Sequence, residues 1–277
     1  MTDKKILFSD LDGTLLNSQK EISQTNLDAI RKMTEEGHKF VIATGRPIQS
    51  AIRIAQEYGF ITPGFYIASY NGGLIYDCYE KKTIQKYTVP LPYIRYLFDE
   101  AAKEGLHCHT YSRTHVVSEH QTDALDHYTK HIGMPGLVVD DVLSALDEEP
   151  VKLIVISLDG RGQLAAFRDR LAPWADERLF STFSSDILLE YANLSSTKGC
   201  AVQFLCEYFH IPIENAIAAG DEENDITMID AAGIGVVMQN GTASTKQHAD
   251  YITERDNDHD GIAEIVEKFV LSHFVSP

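Results

Sequence analysis

The sequence predicts an α/β protein: a doubly wound parallel sheet whose chain is interrupted by an inserted α+β module. Three observations carry this. Short apolar runs alternate with helix-period segments over the first third of the chain, the alternation stops near Thr83, and it returns near Lys198. With 277 residues and 44% hydrophobic content, the chain can bury a substantial core.

Ile6 to Ser9 reads as a buried parallel strand. A helix then starts at the N-cap Ser23, places Leu27, Ile30 and Met33 on one face and stops at Gly37. Lys39 to Ala43 is the second strand and ends at Thr44-Gly45-Arg46. Pro47 suits the first turn of the next helix, which carries Ile48, Ile52 and Ala55 and ends at Gly59. Phe65 to Ala68 is the third strand, and Asn71-Gly72-Gly73 marks a tight turn before Leu74-Ile75-Tyr76.

The texture then changes. Thr83 to Thr88 alternates like a half-exposed strand, and an amphipathic helix follows over Pro92 to Glu104. Leu106 to Tyr111 and His115 to Ser118 are short strand candidates. Val151 to Leu158 is a strong one. Gln163 to Leu171 is helical, and Leu179 to Phe183 pairs with Ile187 to Tyr191 as a hairpin. Beyond the insert come a helix over Lys198 to Phe209, a strand over Ala216 to Ala219 and a helix over Asn224 to Ala231. The strand Ile234 to Met238 and a helix over Ile262 to Leu271 close the pattern. The expected division is therefore 1–82 and 193–277 as the two parts of the core, with 83–192 as the insert.

Charge narrows the partners. A net charge of −17 argues against nucleic acid or an anionic membrane, because phosphate backbones need basic patches. A small phosphate ester remains open, since it needs only a local cation or a metal. No apolar run reaches membrane-span length, and Met1 to Lys5 lacks a signal-peptide pattern. Cys78, Cys108, Cys200 and Cys206 show no Cys-x-x-Cys spacing and read as reduced core thiols. The expected location is the cytoplasm, and the oligomeric state stays open.

The first strand stops at Asp10-Leu11-Asp12-Gly13-Thr14. Alone, such a pair reads as a strand end and a solvated turn. Two carboxylates so close repel unless a cation or a shared proton offsets them. In a parallel sheet, ligands bind beyond the C-terminal strand ends. Asp10 and Asp12, Thr44, Lys198, and Asp221 with Asp225 all fall there. Together they supply a nucleophile, a second carboxylate, a hydroxyl donor, a cation and an acidic metal-binding group, which is what phosphoryl transfer needs.

These segments resemble a known family. Asp10-Leu11-Asp12-Gly13-Thr14-Leu15-Leu16, Thr44-Gly45-Arg46, Lys198-Gly199 and Gly220-Asp221-Glu222-Glu223-Asn224-Asp225 resemble the four motifs of the haloacid dehalogenase superfamily. More narrowly the chain resembles its Cof-like phosphatases, with a Rossmann-like core and an α+β cap inserted between the second and third motifs. Asn71-Gly72-Gly73, Val237 to Gly241, Ala249 to Thr253 and Asp260-Gly261 match Cof-like segments as well. One departure stands out: Asn193-Leu194-Ser195-Ser196-Thr197 precedes Lys198 where the family has Pro-x-Gly-Val-Ser.

The resemblance implies a Mg²⁺-dependent phosphatase of small soluble monoesters, sugar phosphates or phosphorylated cofactors, with a cap that excludes water and helps to choose the substrate. Asp10 is then the nucleophile and Asp12 the general acid and base. Mg²⁺ sits on Asp10, the Asp12 carbonyl and Asp221. Thr44, Gly45, Lys198 and Asn224 bind phosphate, and Asp225 and Arg46 support the site. Arg46 is within reach of a substrate anion or of surface carboxylates, and the sequence leaves both open. A phosphosugar mutase and a non-catalytic phospholigand sensor are the alternatives. Six histidines crowd the insert: His107, His109, His115, His120, His127 and His131. His107 and His109 share a strand face, half a metal site, but no third ligand can be placed, so solvated or half-buried histidines are expected. Tyr93, Tyr96 and Phe98 are expected to be core.

Overall fold

A computed structural model describes residues 4–271, so the expectation for Met1 to Asp3 lies outside the described residues. The first part of the chain forms β1 (Ile6–Ser9), α1 (Gln24–Glu35), β2 (Lys39–Ala43), α2 (Ile48–Glu57), β3 (Phe65–Ser69), β4 (Leu74–Asp77) and β5 (Lys82–Lys86). The middle forms α3 (Leu91–Lys103), β6 (His107–Tyr111), β7 (Val116–Ser118), α4 (Asp123–Ile132), β8 (Gly136–Val138), β9 (Lys152–Ile156), α5 (Arg161–Ala175), β10 (Leu179–Ser185) and β11 (Leu188–Asn193). The last part forms α6 (Lys198–Phe209), β12 (Ala216–Gly220), α7 (Ile226–Ala231), β13 (Ile234–Val237), β14 (Tyr251–Ile252) and α8 (Gly261–Ile265), which continues as a π turn over Val266–Val270.

The chain divides into two compact units. One runs to Gln85 and resumes at Thr197; the other is Lys86–Ser196. The first unit holds an eight-stranded sheet in the order β14-β13-β12-β1-β2-β3-β4-β5. β1, β2, β3, β12, β13 and β14 are mutually parallel, and β4 returns antiparallel to β3. Alternate strand residues feed two cores, as a doubly wound sheet requires. Leu7, Phe40, Ile42, Ile217 and Val236 pack with Ile30, Met33, Ala51 and Ile265 on one face. Ile6, Phe8, Val41 and Ala218 pack with Val202, Leu205 and Met228 on the other.

The second unit holds a six-stranded sheet, β10-β11-β9-β6-β7-β8. One face of it, with Cys108, Leu153, Val155, Leu189 and Tyr191, packs against Leu97, Phe98, Leu164, Phe167 and Leu171 of α3 and α5. Phe98 is core, and Tyr93 and Tyr96 pack at its border.

Four differences from the sequence expectation have physical causes. β5 belongs to the first sheet, because its polar alternation suits the exposed edge next to β4 and not a new module. α4 and β8 were not anticipated, although Thr122 caps α4 through the Leu125 N–H and Gly133 ends it left-handed. α5 runs through Pro173 to Ala175, past the Leu171 limit drawn from periodicity. His107 and His109 are buried, not solvated, and are hydrogen-bonded to each other at 3.1 Å. Among the described residues, no helix is long and apolar enough to cross a membrane.

Candidate active site

The site grows from the C-terminal ends of three adjacent strands. Ser9 on β1 is level with Ala219 on β12 and Ile42 on β2. The chain leaves those strands as Asp10, Asp221 and Thr44, and the Asp10 N–H donates to the Ala219 carbonyl at 2.9 Å. Lys198 enters at the first turn of α6, whose N-cap Thr197 accepts from the Cys200 N–H at 3.0 Å. Two glycines permit the crowding. Gly13 has φ +81°, and a Cβ there would lie 2.4 Å from Asp221 Oδ2. Gly72 has φ +93°, and its Cβ would lie 2.4 Å from the Thr197 carbonyl.

Lys198 is fully buried. Its Nζ donates to Asp10 Oδ1 at 2.5 Å and to Asp225 Oδ1 at 2.6 Å. Asp225 Oδ2 accepts from the backbone N–H groups of Asp221 and Glu222 at 2.9 and 3.0 Å. Both Asp225 oxygens are therefore occupied. Asp221 Oδ1 accepts from Thr14 Oγ1 at 2.8 Å. Among the described residues, Oδ2 of Asp10 and Oδ2 of Asp221 accept from no protein donor.

The electrostatics follow from that geometry. Burial, and then the neighbouring Asp225 and Asp221 charges, hold the Asp10 carboxyl well above its ordinary range despite Lys198. Burial, aided by Asp225, lifts Asp221 to about 7, although the Thr14 hydroxyl pulls the other way. Burial pulls Lys198 down, but Asp10 and Asp225 outweigh it and hold the ammonium above its ordinary value. Asp10, Asp221 and Asp225 each offer an oxygen within 4.8 Å of the others. Three carboxylates against one ammonium leave excess negative charge, and two oxygens point to no donor. An all-oxygen set with that excess fits a hard divalent cation such as Mg²⁺.

The Asp12 carboxylate turns elsewhere. Arg46 grips it with both arms, Nε to Oδ2 at 2.7 Å and Nη2 to Oδ1 at 2.6 Å. Lys20 Nζ adds a 3.0 Å contact to Oδ1. Burial would raise this carboxyl, but Arg46 and Lys20 prevail and hold it below the ordinary carboxylate value. The sequence left Arg46 to a substrate anion or to surface carboxylates; the structure pairs it instead with Asp12 of the site itself.

Thr44 is buried; its N–H donates to the Ala68 carbonyl at 2.9 Å. Its hydroxyl accepts from the Arg46 N–H at 3.2 Å, which leaves the hydroxyl proton to donate. Gly45 lies against the Asn71 side chain. Asn71 ties two motifs together: its N–H donates to the Thr44 carbonyl at 2.9 Å, and its Oδ1 accepts from Asn224 Nδ2 at 3.2 Å. Asn71 and Tyr70 are both left-handed, with φ of 55° and 53°.

Thr14, Lys20 and Asn71 were missed as site residues. Thr14 and Asn71 lay inside quoted motifs, and Asn tolerates the left-handed region. Lys20 had no sequence signal. The departure before Lys198 is accommodated locally. Asn193 accepts from the Ser195 N–H through Oδ1 at 3.0 Å and from the Ser196 N–H through its carbonyl at 2.8 Å. That side chain builds a turn without proline or glycine.

Fold and site together define a phosphoryl-transfer enzyme, and the family agrees. The chain belongs to the haloacid dehalogenase-like hydrolases, whose family model matches residues 7–266. It is a Cof-like member and a phosphoric monoester hydrolase. It is 30% identical to the 5-amino-6-(5-phospho-D-ribitylamino)uracil phosphatase YitU of Bacillus subtilis, over 97% of this chain and 98% of that one. The corresponding phosphatase YcsE of the same organism is 28% identical, over 97% of each chain. A crystal structure of a haloacid dehalogenase-like hydrolase from Bacteroides thetaiotaomicron is similar at a TM-score of 0.85 and 31% identity, covering 95% of this chain and 98% of that one. The sugar phosphatase BT4131, of haloacid dehalogenase subclass IIB, shares the fold at a TM-score of 0.81 and 21% identity, over 96% and 99% of the two chains.

Proposed function

We propose that this phosphatase works through an aspartyl-phosphate on Asp10 and acts on small soluble monoesters, sugar phosphates or phosphorylated cofactors. One observation carries the mechanism: Asp10 Oδ1 is anchored on buried Lys198 while, among the described residues, Oδ2 meets no donor. Oδ2 attacks phosphorus, the P–O bond to the alcohol breaks, and Asp12 gives the departing oxygen its proton. Asp12 then takes a proton from water, whose oxygen displaces Asp10 from phosphorus and releases inorganic phosphate. The Thr44 hydroxyl and Lys198 ammonium donate to the transferring group, and Asn71 and Asn224 brace that side of the site.

Asp10, the Asp12 carbonyl and Asp221 would hold Mg²⁺, which would supply charge neutralisation for the phosphoryl oxygens. Asp225 orients Lys198 and the Asp221 backbone. The substrate class draws support from the ribitylaminouracil phosphatases similar to this chain. Buried Cys78, Cys108 and Cys206 and half-buried Cys200, all free thiols, favour a cytoplasmic enzyme.

A panel of phosphate esters incubated with the protein and Mg²⁺ tests the assignment. Phosphate release from one or a few small esters is expected, abolished by chelation and restored by Mg²⁺. Interconversion of phosphosugar isomers without phosphate release would assign a mutase instead. Tight binding without turnover would make the protein a sensor.

A further inference from the structure

We propose that Arg46 and Lys20 are positioning residues that hold the Asp12 carboxylate in the orientation used when it draws a proton from water. The proposal rests on the two-step reaction above. Three donors meet Asp12, and all belong to cations: Arg46 Nε on Oδ2, and Arg46 Nη2 with Lys20 Nζ on Oδ1. A guanidinium fork fixes both the position and the rotation of a carboxylate, which a single ammonium cannot do. Oδ1 has its two acceptor positions filled. Among the described residues, Oδ2 accepts from Arg46 alone, so its second lone pair is the one open to a water proton.

The Lys20 side of the clamp is built with some strain. Lys20 has φ +64°, a region that residues other than glycine avoid. A compact turn keeps it there. The Lys20 N–H donates to the Asn17 carbonyl at 2.9 Å, and Asn17 Oδ1 accepts from the N–H groups of Gln19 and Glu21 at 3.0 and 2.9 Å. The turn is pinned from outside, since Asp258 accepts from the Ser18 N–H at 2.7 Å and from its hydroxyl at 2.6 Å. Arg46 is fixed in turn, because its N–H donates to Thr44 Oγ1 and its carbonyl accepts from the Tyr70 N–H at 3.2 Å. Both cations thus reach Asp12 from backbone that other groups hold still. The protonated leaving-group half of the reaction requires Asp12 to loosen this grip; the water half uses it as drawn.

The two halves separate in rapid-mixing kinetics with p-nitrophenyl phosphate, whose phenolate departs without needing a proton. Wild type, Arg46→Ala, Arg46→Lys and Lys20→Met are compared in Mg²⁺ by stopped flow. The expectation for Arg46→Ala is a p-nitrophenolate burst close to one per active site, followed by steady turnover reduced by roughly 10²-fold, the scale of a general-base contribution. Arg46→Lys, which keeps the charge but loses the fork, should recover part of that loss, and Lys20→Met should lose less. Burst and turnover falling together would place Arg46 on the phosphate or the nucleophile and overturn the proposal, as would unchanged turnover in Arg46→Ala. A wild type that turns over with no phosphoryl-enzyme on acid quench would refute the two-step reaction itself, and this assignment with it.

Discussion

The two units bury charge in opposite ways. In the first, Asp10, Asp221 and Asp225 crowd one ammonium, Lys198, beyond the ends of parallel strands. In the second, the polar face of the sheet carries a buried ion pair. Lys152 donates to Glu190 at 2.8 Å, and both are buried. His109, Ile154 and Glu190 lie level on neighbouring strands, so His109 and Glu190 share a face with Lys152. His107 and His109 sit there as neutral imidazoles. Burial, and then the His120 charge, lower His107 to about 4; burial, and then His107 and Lys152, hold His109 well below its ordinary value. The lesson is that an unbalanced buried cluster marks chemistry, whereas a balanced one is compatible with architecture alone.

The comparison breaks most sharply at Asp10. Asp10→Asn keeps the shape and removes the nucleophile, so turnover should vanish while circular dichroism and melting remain native-like. Retained turnover would sink the covalent mechanism. Asp12→Ala comes next, with a fall in kcat of roughly 10²–10⁴-fold if it moves protons in both halves. A loss of only a few-fold would move the acid–base role to another residue.

The second unit should respond in stability. Lys152→Met removes the ammonium beside buried Glu190 and should cost about 3–5 kcal/mol in chemical denaturation. The double variant Lys152→Met with Glu190→Leu should return to within about 1–2 kcal/mol of wild type, because a balanced pair gives little net stability. If the double variant were as damaged as the single one, the pair would have a role beyond balancing charge.

The most conditional effect is in pH, since it shows only in acid. His107 has a folded value below its ordinary 6.5, so its contribution is fully present above pH 6.5 and is lost as pH falls from 6.5 through about 4, where only the unfolded chain takes the proton. The loss is on the order of 3 kcal/mol, and His109 shifts in the same direction. Unfolding of the wild type against His107→Gln with His109→Gln over that window should show a flatter slope in the variant. Equal slopes would mean that the imidazoles are not buried neutral.

Much of the core was legible because its signals are local. Strand–helix alternation, Ser23 as a cap, and Asp10, Thr44, Lys198 and Asp221 at strand or helix ends all follow from nearest-neighbour chemistry. What escaped depends on distance along the chain. Arg46 reaches Asp12 across 34 residues and Asn224 reaches Asn71 across 153, and no periodicity encodes either. β5 was drawn into the wrong unit because edge strands and surface modules share the same polar alternation. The buried histidines escaped for a related reason: an alternating strand shows which residues share a face, but not which element covers it.

The central claim is that Asp10 is the covalent nucleophile. Acid-quenching the Mg²⁺-loaded enzyme during turnover of a phosphate ester, then locating the phosphoryl group by peptide mass spectrometry, tests it most directly. The account predicts a phosphoryl group on the peptide that carries Asp10, absent from Asp10→Asn and accumulating in Arg46→Ala. An enzyme that turns over at its full rate with Asp10 unmodified at every quench time would contradict it.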